Sequence, residues 1–361
     1  MLSARENERL TRVGRGRPIG ELLRRYWHPV AATAQLAGNP VRAVRLLGED
    51  LVLFRMPDGQ LGLVEEACPH RGTSLTLGIP EVGGIRCAYH GWKFDCAGQC
   101  ADTPLEPANS RLAARVKIDG YPVQEMGGLL WAYLGPAPAP LLPRWDVFVM
   151  DNAFRQIGVA TLDCNWLQCM ENSVDPSHGT YLHGHYFHYV LQRQGEIGTA
   201  AERFRSRALR GQRRVAKVGF DVFEHGIMKR RLFEGQSEDE PDWRVGHPLV
   251  FPCMVRLGGD IRNELQIRVP IDDTHTWHVS YQCYDFGGRV EVPPQNPVPV
   301  FDVPTRDERG ERLVDFTLAQ DFAAWELQGP ITNRSRERLG ALDKGIALYR
   351  KLLRQQLDAL A

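Results

Sequence analysis

The apolar residues change rhythm near position 140. From about 41 to 66 they alternate with polar ones in short runs, VRAVRLL, LVLFRMP and LGLVEEA, broken by GED and PDGQ. A period of two marks half-buried strands, and Gly, Asp and Pro supply the turns between them. The signal continues through IRCAYHGWKFD, ARVKIDGYPVQEM and GLLWAYLG, so residues 36–135 read as an all-β module of short hairpins. Ahead of it, GELLRRYWH (20–28) is spaced as a short amphipathic helix ending near Pro29. PAPAPLLP (136–143) is a linker, because closely set prolines disfavour both helix and central strand.

Beyond the linker the style is mixed. Residues 164–184, opening with the WLQCMEN stretch, are patterned as a helix, and GFDVFEHGI, ELQIRVPI and TWHVSYQCY as strands. Positions 315–361, including ERLGALDKGIALYRKLLRQQLDAL, are strongly helical. Strands followed by helices predict an α+β second domain. Three stretches result: a helical N-terminal segment (1–35) expected to pack on the last domain, a β domain (36–140), and a larger domain (141–361).

Charge and composition narrow the role. Lys plus Arg equals Asp plus Glu at 44 each, so neither nucleic acid nor an anionic membrane is an expected partner. The apolar runs are too short to span a bilayer, and the polar start MLSARENERLTRVGRGRPIG lacks the apolar core of a signal peptide. A cytoplasmic protein is expected. Eight scattered cysteines are too few for a disulfide framework in this length, and clustered ones point instead to metal binding or redox chemistry.

Two stretches carry that chemistry. CPHRGTSLTLGIPEVGGIRCAYHGWKF (68–94) holds Cys68 and His70, then Cys87 and His90, with sixteen residues between the pairs. Such a set suits a tetrahedral zinc site or a Rieske 2Fe-2S cluster, in which two thiolates hold one iron and two imidazoles the other. Spacing favours the cluster. Zinc fingers pair Cys with Cys and His with His, whereas here each short loop offers one of each and reaches both irons. Gly72 and Gly91 let the backbone come close. Cys96 and Cys100 lie just outside and read as structural. Imidazoles raise the potential above that of all-thiolate clusters, so the cluster would relay one electron and leave the organic chemistry to the rest of the chain.

The second stretch is ENSVDPSHGTYLHGHYFH (171–188). Two histidines and a carboxylate on one face, with other positions open, are what a non-haem Fe(II) oxygenase needs. His178 and His183 are five apart and would diverge by about 140° on a regular helix, so the helix must distort or end near Gly179. Asp175 shares the face of His178. Standing alone, the run is equally readable as solvated or core-packed histidines, and the neighbouring Cys/His loops are what make it a metal site. His185 and His188 read as pocket lining or surface.

The first motif, C-x-H then C-x-x-H-G-W-x-F, resembles the Rieske domain of ring-hydroxylating oxygenases. Glu171, Asn172, Asp175, His178 and His183 match E-N-x-x-D-x-x-H-x-x-x-x-H, the iron motif of the Rieske non-haem iron oxygenases. RYWHPV, VPIDDTHTW and LAQDFAAWELQGPITNRSRERL extend the likeness over nearly the whole chain. It is nearest to the phthalate-dioxygenase-like group built of one subunit type, which includes aromatic-acid O-demethylases. Relatives in respiratory bc complexes carry two further loop cysteines that form a disulfide. Arg71 to Leu75 and Ala88–Tyr89 contain none, so a potential low in the Rieske range is expected.

The resemblance implies a Rieske domain followed by a helix-grip catalytic domain, its antiparallel sheet flanked by helices. It implies a 2Fe-2S cluster on Cys68, His70, Cys87 and His90, and a mononuclear Fe(II) on His178, His183 and a distant carboxylate. Asp321 is the candidate for that carboxylate, with Asp315, Glu326, Asp272 and Asp273 as rivals. Asp175 would not ligate but bridge an iron-ligand His to a Rieske-ligand His of the neighbouring subunit in a head-to-tail trimer, or a hexamer of such rings. Electrons would come from NAD(P)H through a separate flavin and iron-sulfur reductase. With O2 they would drive mono- or dihydroxylation, or oxidative demethylation, of a small aromatic compound in aromatic catabolism. The rival reading is a Rieske electron carrier without oxygenase chemistry. For the substrate, an Arg could pair with an aromatic carboxylate. ERFRSRALRGQRRVAK (202–217), mostly a solvated or docking segment, and Arg230 or Arg231 are the places to look.

Overall fold

A computed structural model describes residues 1–199, 213–259 and 261–360. The chain packs as two compact units. One comprises Met1–Arg12, Gly158–Gln282 and Phe301–Ala361, the other Val13–Ile157 and Cys283–Val300. This division follows packing, whereas the limits read from the sequence follow the proline linker, so residues 141–157 fall with the β module.

In the β-rich unit, three small sheets form. Val41–Leu46, Glu49–Arg55 and Leu61–Glu65 run antiparallel, joined by Gly120–Tyr121. The first hairpin turns at Leu47 and Gly48, both at positive φ (52° and 80°), as a tight two-residue turn requires. Ile79–Glu81, Gly84–Arg86, Lys93–Phe94 and Cys100–Asp102 make a second sheet. The inward residues Val52, Phe54, Val64, Leu75, Ile85, Phe94 and Ile118 form one core that also takes in Cys68, Cys87 and Trp92. The expected helix at 20–28 is shorter, Pro18–Leu23. The YWH part turns into a strand, Trp27–Ala32, paired with Leu129–Tyr133. Pro29 disfavours helix at His28, and pairing seats Trp27 against Tyr133, ring centroids 5.6 Å apart.

The other unit is built on an eight-stranded sheet. Its order is Val215–Phe223, Gly226–Phe233, His247–Val250, Met254–Gly258, Arg262–Pro270, Thr276–Asp285, Ala153–Leu162, Val300–Asp302, and the first five pair antiparallel. The helix Trp166–Val174 packs on Arg262–Pro270 and on the helices Thr317–Glu326 and Lys344–Leu360. It starts where the Asn165 side chain accepts from the Leu167 N–H, 3.1 Å. The helix expected over 164–184 is interrupted at Asp175–Pro176 and resumes at His178, running to Arg193. The C-terminal region is less helical than its pattern predicts. Residues 327–343 form no helix, because Gly329–Pro330 stops one and Arg334 is pulled inward to Glu171. Among the described residues no helix is long and apolar enough to cross a membrane.

Candidate metal centres

The two Cys/His loops are built alike. The carbonyl of Cys68 accepts from Gly72 N–H (2.8 Å), and its N–H donates to Thr73 O (3.0 Å). The carbonyl of Cys87 accepts from Gly91 N–H (3.0 Å), and its N–H donates to Trp92 O (2.8 Å). Gly72 and Gly91 sit at φ 74° and 76°, a left-handed conformation that costs any residue with a Cβ. Each loop thus folds its Cys inward and its His outward: Cys68 and Cys87 are buried, His70 exposed and His90 half-buried. Burial and the adjacent Cys87 push the Cys68 thiol up to about 11, so the thiolate form calls for a compensating cation. The imidazoles pair separately, ring centroids 4.4 Å apart, with Trp92 stacked on His70 at 4.6 Å. Arg86 braces the second loop, donating to Gly91 O (2.6 Å) and pairing with Glu81 and Asp102. Thiols inside and imidazoles at the tip suit a two-iron cluster better than one tetrahedral ion. Cys100 lies in the core, and Cys96 beside it is half-buried.

Among the described residues, one group of His, Cys, Asp or Glu converges on a single point: His178, His183 and Asp321, whose ligand atoms lie within 4.8 Å of one another. The helix distorts to achieve this, though later than Gly179. Tyr181–Tyr186 is a π-helical turn, and such widened turns recur at functional sites. The two imidazoles end at a centroid distance of 5.1 Å. Asp321, on the Thr317–Glu326 helix, places Oδ1 3.2 Å from His183 Nε2 and 3.7 Å from His178 Nε2. Oδ1 is buried yet makes no hydrogen bond, which an isolated carboxylate oxygen would not tolerate and a metal ligand would. Burial pushes the Asp321 carboxyl up, but His183 and His178 outweigh it and hold it below its ordinary range. These donors fit a mononuclear iron with open positions.

A side chain stands behind each of the other ring nitrogens. His183 Nδ1 donates to Gln320 Oε1 (2.9 Å), whose amide nitrogen donates to Val314 O. His178 Nδ1 faces Asp175 Oδ2 at 3.4 Å. Asp175 accepts from the N–H groups of Ser177 (2.7 Å) and His178 (3.2 Å). Burial opposes its ionisation, but His178 and Ser177 outweigh it and hold its carboxyl at about 2. Gln320 stands in the matched C-terminal segment without a role read for it, since that role depends on a partner 137 positions away. Lys229 is a residue the motifs miss: buried, it donates to Ser173 O (2.5 Å) at the end of the Trp166–Val174 helix, and burial lowers it to about 8. Glu171 lies deeper, between Arg334 and Arg350.

The rival carboxylates are engaged elsewhere. Asp272 caps its own turn at Thr274 and His275, Asp273 pairs with Arg12, and Glu326 with Arg306 and Arg312; Asp315 is not in the convergent group. His185 is exposed against Tyr181, and His188 is half-buried. Most of the Arg-rich stretch 202–217 lies outside the described residues.

A Cys/His quartet suited to two irons in a β module, and a His/His/Asp triad on a separate unit, define a Rieske protein with a second iron site. The model of the Rieske [2Fe-2S] domain matches residues 26–122. The chain is 38% identical to the 5,5'-dehydrodivanillate O-demethylase oxygenase subunit of Sphingobium sp., over all of this chain and 82% of that protein. It is 33% identical to the phthalate 4,5-dioxygenase oxygenase subunit of Pseudomonas putida, over 100% and 87%. In fold it is similar to a Pseudomonas putida CBB5 NdmA variant solved with caffeine, TM-score 0.67 at 22% identity, covering 94% of this chain and 92% of that one. The chain belongs to the Rieske non-haem iron oxygenases, as an oxygenase (alpha) subunit of the phthalate-dioxygenase-like group. It is an enzyme that incorporates O2, and the electron-carrier alternative falls away.

Proposed function

We propose that this oxygenase acts on an aromatic, carboxylated compound, hydroxylating it or oxidatively removing a methyl group, with electrons supplied from NAD(P)H by a separate flavin and iron-sulfur reductase. The convergence of His178, His183 and Asp321 carries this reading, supported by relatives named for O-demethylation and dioxygenation. When bound, the two metal groups supply one-electron transfer at the cluster and O2 activation at the mononuclear iron. Cys68 and Cys87, as thiolates, together with His70 and His90 would hold the cluster. His178 and His183 through Nε2 and Asp321 through Oδ1 would hold the mononuclear iron. Gln320 keeps His183 in the tautomer protonated at Nδ1, leaving Nε2 free to ligate. Asp175 faces His178 Nδ1 at 3.4 Å and stays ionised at neutral pH, so it favours a proton on that nitrogen electrostatically. Its second task in the family is to link that imidazole to a Rieske histidine of a neighbouring copy, and a closed head-to-tail trimer would supply one. In a monooxygenation, one oxygen atom enters the substrate and the other leaves as water, consuming two electrons and two protons. In a cis-dihydroxylation both atoms enter the product.

The test is reconstitution of the purified protein with a surrogate reductase, NADH and a panel of methoxy- and hydroxybenzoates, with products read by mass spectrometry. O2-dependent product that disappears on chelating the mononuclear iron, while the cluster's visible spectrum persists, is the expected result. Turnover surviving iron removal would overturn the site assignment.

A further inference from the structure

We infer that Arg231 is the anchor for the carboxylate of the substrate, an inference that rests on the aromatic-acid reading above and adds the group that recognises the acid. The strand Gly226–Phe233 sends alternate side chains to opposite faces. Arg230 spends its guanidinium on Asp221 (2.7 Å) and on the carbonyls of Trp243 (2.6 Å) and Arg244 (2.7 Å). Lys229 and Arg231 share the other face, and Lys229 reaches the helix that leads to Asp175.

Arg231 is held along one edge only. Its Nε (3.3 Å) and Nη2 (2.9 Å) donate to Asp242 Oδ2, and that carboxylate also takes His247 Nε2 on its other oxygen at 3.2 Å. The guanidinium lies over the Phe233 ring, 4.8 Å from its centroid. Nη1 has no hydrogen-bond partner among the described residues. It points at the turn between the metal-binding histidines: a Cβ placed on Gly179 would lie 3.6 Å from Nη1 and 3.9 Å from His183 Cδ2. Nη1 thus lies close to the turn that carries His183. The side chain is 29% exposed, so solvent and solutes reach it. A planar cation fixed on one edge, with a donor left over beside the His178–His183 turn, is arranged to take a planar carboxylate and fix the ring's orientation. A purely structural ion pair between Arg231 and Asp242 would not need the open Nη1 beside the histidines.

The experiment measures equilibrium binding to the anaerobic holoenzyme by calorimetry, using a panel of methoxy- and hydroxybenzoates and the corresponding benzamides. Wild type is expected to prefer at least one benzoate over its amide. Arg231→Gln should weaken that benzoate by about 30-fold, as for a lost charged hydrogen-bond pair, and leave the amide unchanged, with iron content and cluster spectrum intact. Should that variant fail to fold, Arg231→Lys, which keeps the charge but loses the fork, should weaken the benzoate less and still spare the amide. Equal loss for both probes, no loss for the benzoate, or a wild type without preference for any benzoate would overturn the inference. Turnover of neutral aromatics but no benzoate would overturn it and leave the oxygenase standing, whereas turnover of no aromatic at all would count against the proposed function itself.

Discussion

The two metal centres are assembled by opposite means. The Cys/His quartet comes from two short loops within one small module, each folded by its own backbone hydrogen bonds around a left-handed glycine. The His/His/Asp triad joins a distorted helix to a second helix far along the chain, and its orientation depends on side chains, Gln320 and Asp175, standing behind the imidazoles. A site made of backbone tolerates changes around it. A site made of long-range side-chain contacts is only as good as the packing that presents them.

Four substitutions sharpen this contrast. Asp321→Ala should have the largest effect, abolishing mononuclear iron binding and product formation, while the visible spectrum of the Rieske cluster is unchanged. Iron analysis and turnover together decide it. Glu171→Ala acts on the scaffold, since it strands the buried Arg334 and Arg350. A loss of about 3–5 kcal/mol is expected on denaturant unfolding. Burial alone would raise the Glu171 carboxyl, but the two arginines outweigh it, so its folded value lies below 4.5. The stability it contributes is therefore fully present above that pH and is lost as pH falls through the folded value. The gap between wild type and variant should narrow in acid. Gln320→Leu leaves all three metal donors in place and removes only the acceptor of His183 Nδ1, so iron affinity should fall by about 10–100-fold with the cluster untouched. On the other side of the comparison, Arg86→Gln loosens the second cluster loop at a partly exposed site. About 1 kcal/mol is expected there, read as a lower temperature for bleaching of the cluster. A larger effect than that of Gln320→Leu would erase the contrast.

Legibility in the sequence follows the same division. Cys68, His70, Cys87 and His90 stand out because their spacing is the geometry. His178 and His183 stand out as residues, yet five apart they make sense only with a widened turn, which no local propensity signals. Asp321 was reachable through its resemblance to a known segment, and Gln320 stands beside it in that segment, but the roles of Gln320 and Lys229 were not, because they exist only once distant strands and helices meet. The strands of the β module were legible from alternation, but the YWH stretch was not, since pairing with Leu129–Tyr133 overrides its helical spacing. The helix breaks at Asp175–Pro176 and after Glu326 carry Pro and Gly that a stricter reading of stop signals would have used.

The π turn at Tyr181–Tyr186 also says something about insertions and deletions. A π turn is an α-helix with one residue added in place, its flanks keeping their register. The histidine pair thus behaves as a four-residue spacing carrying a spare residue. Deleting Tyr181, which is 73% exposed, should let the turn relax to a regular helix with both histidines still on one face. Phe187 and Leu191 should stay in their core. A one-residue deletion beside a metal site is ordinarily ruinous, but here iron should be retained, as metal analysis of the variant would show.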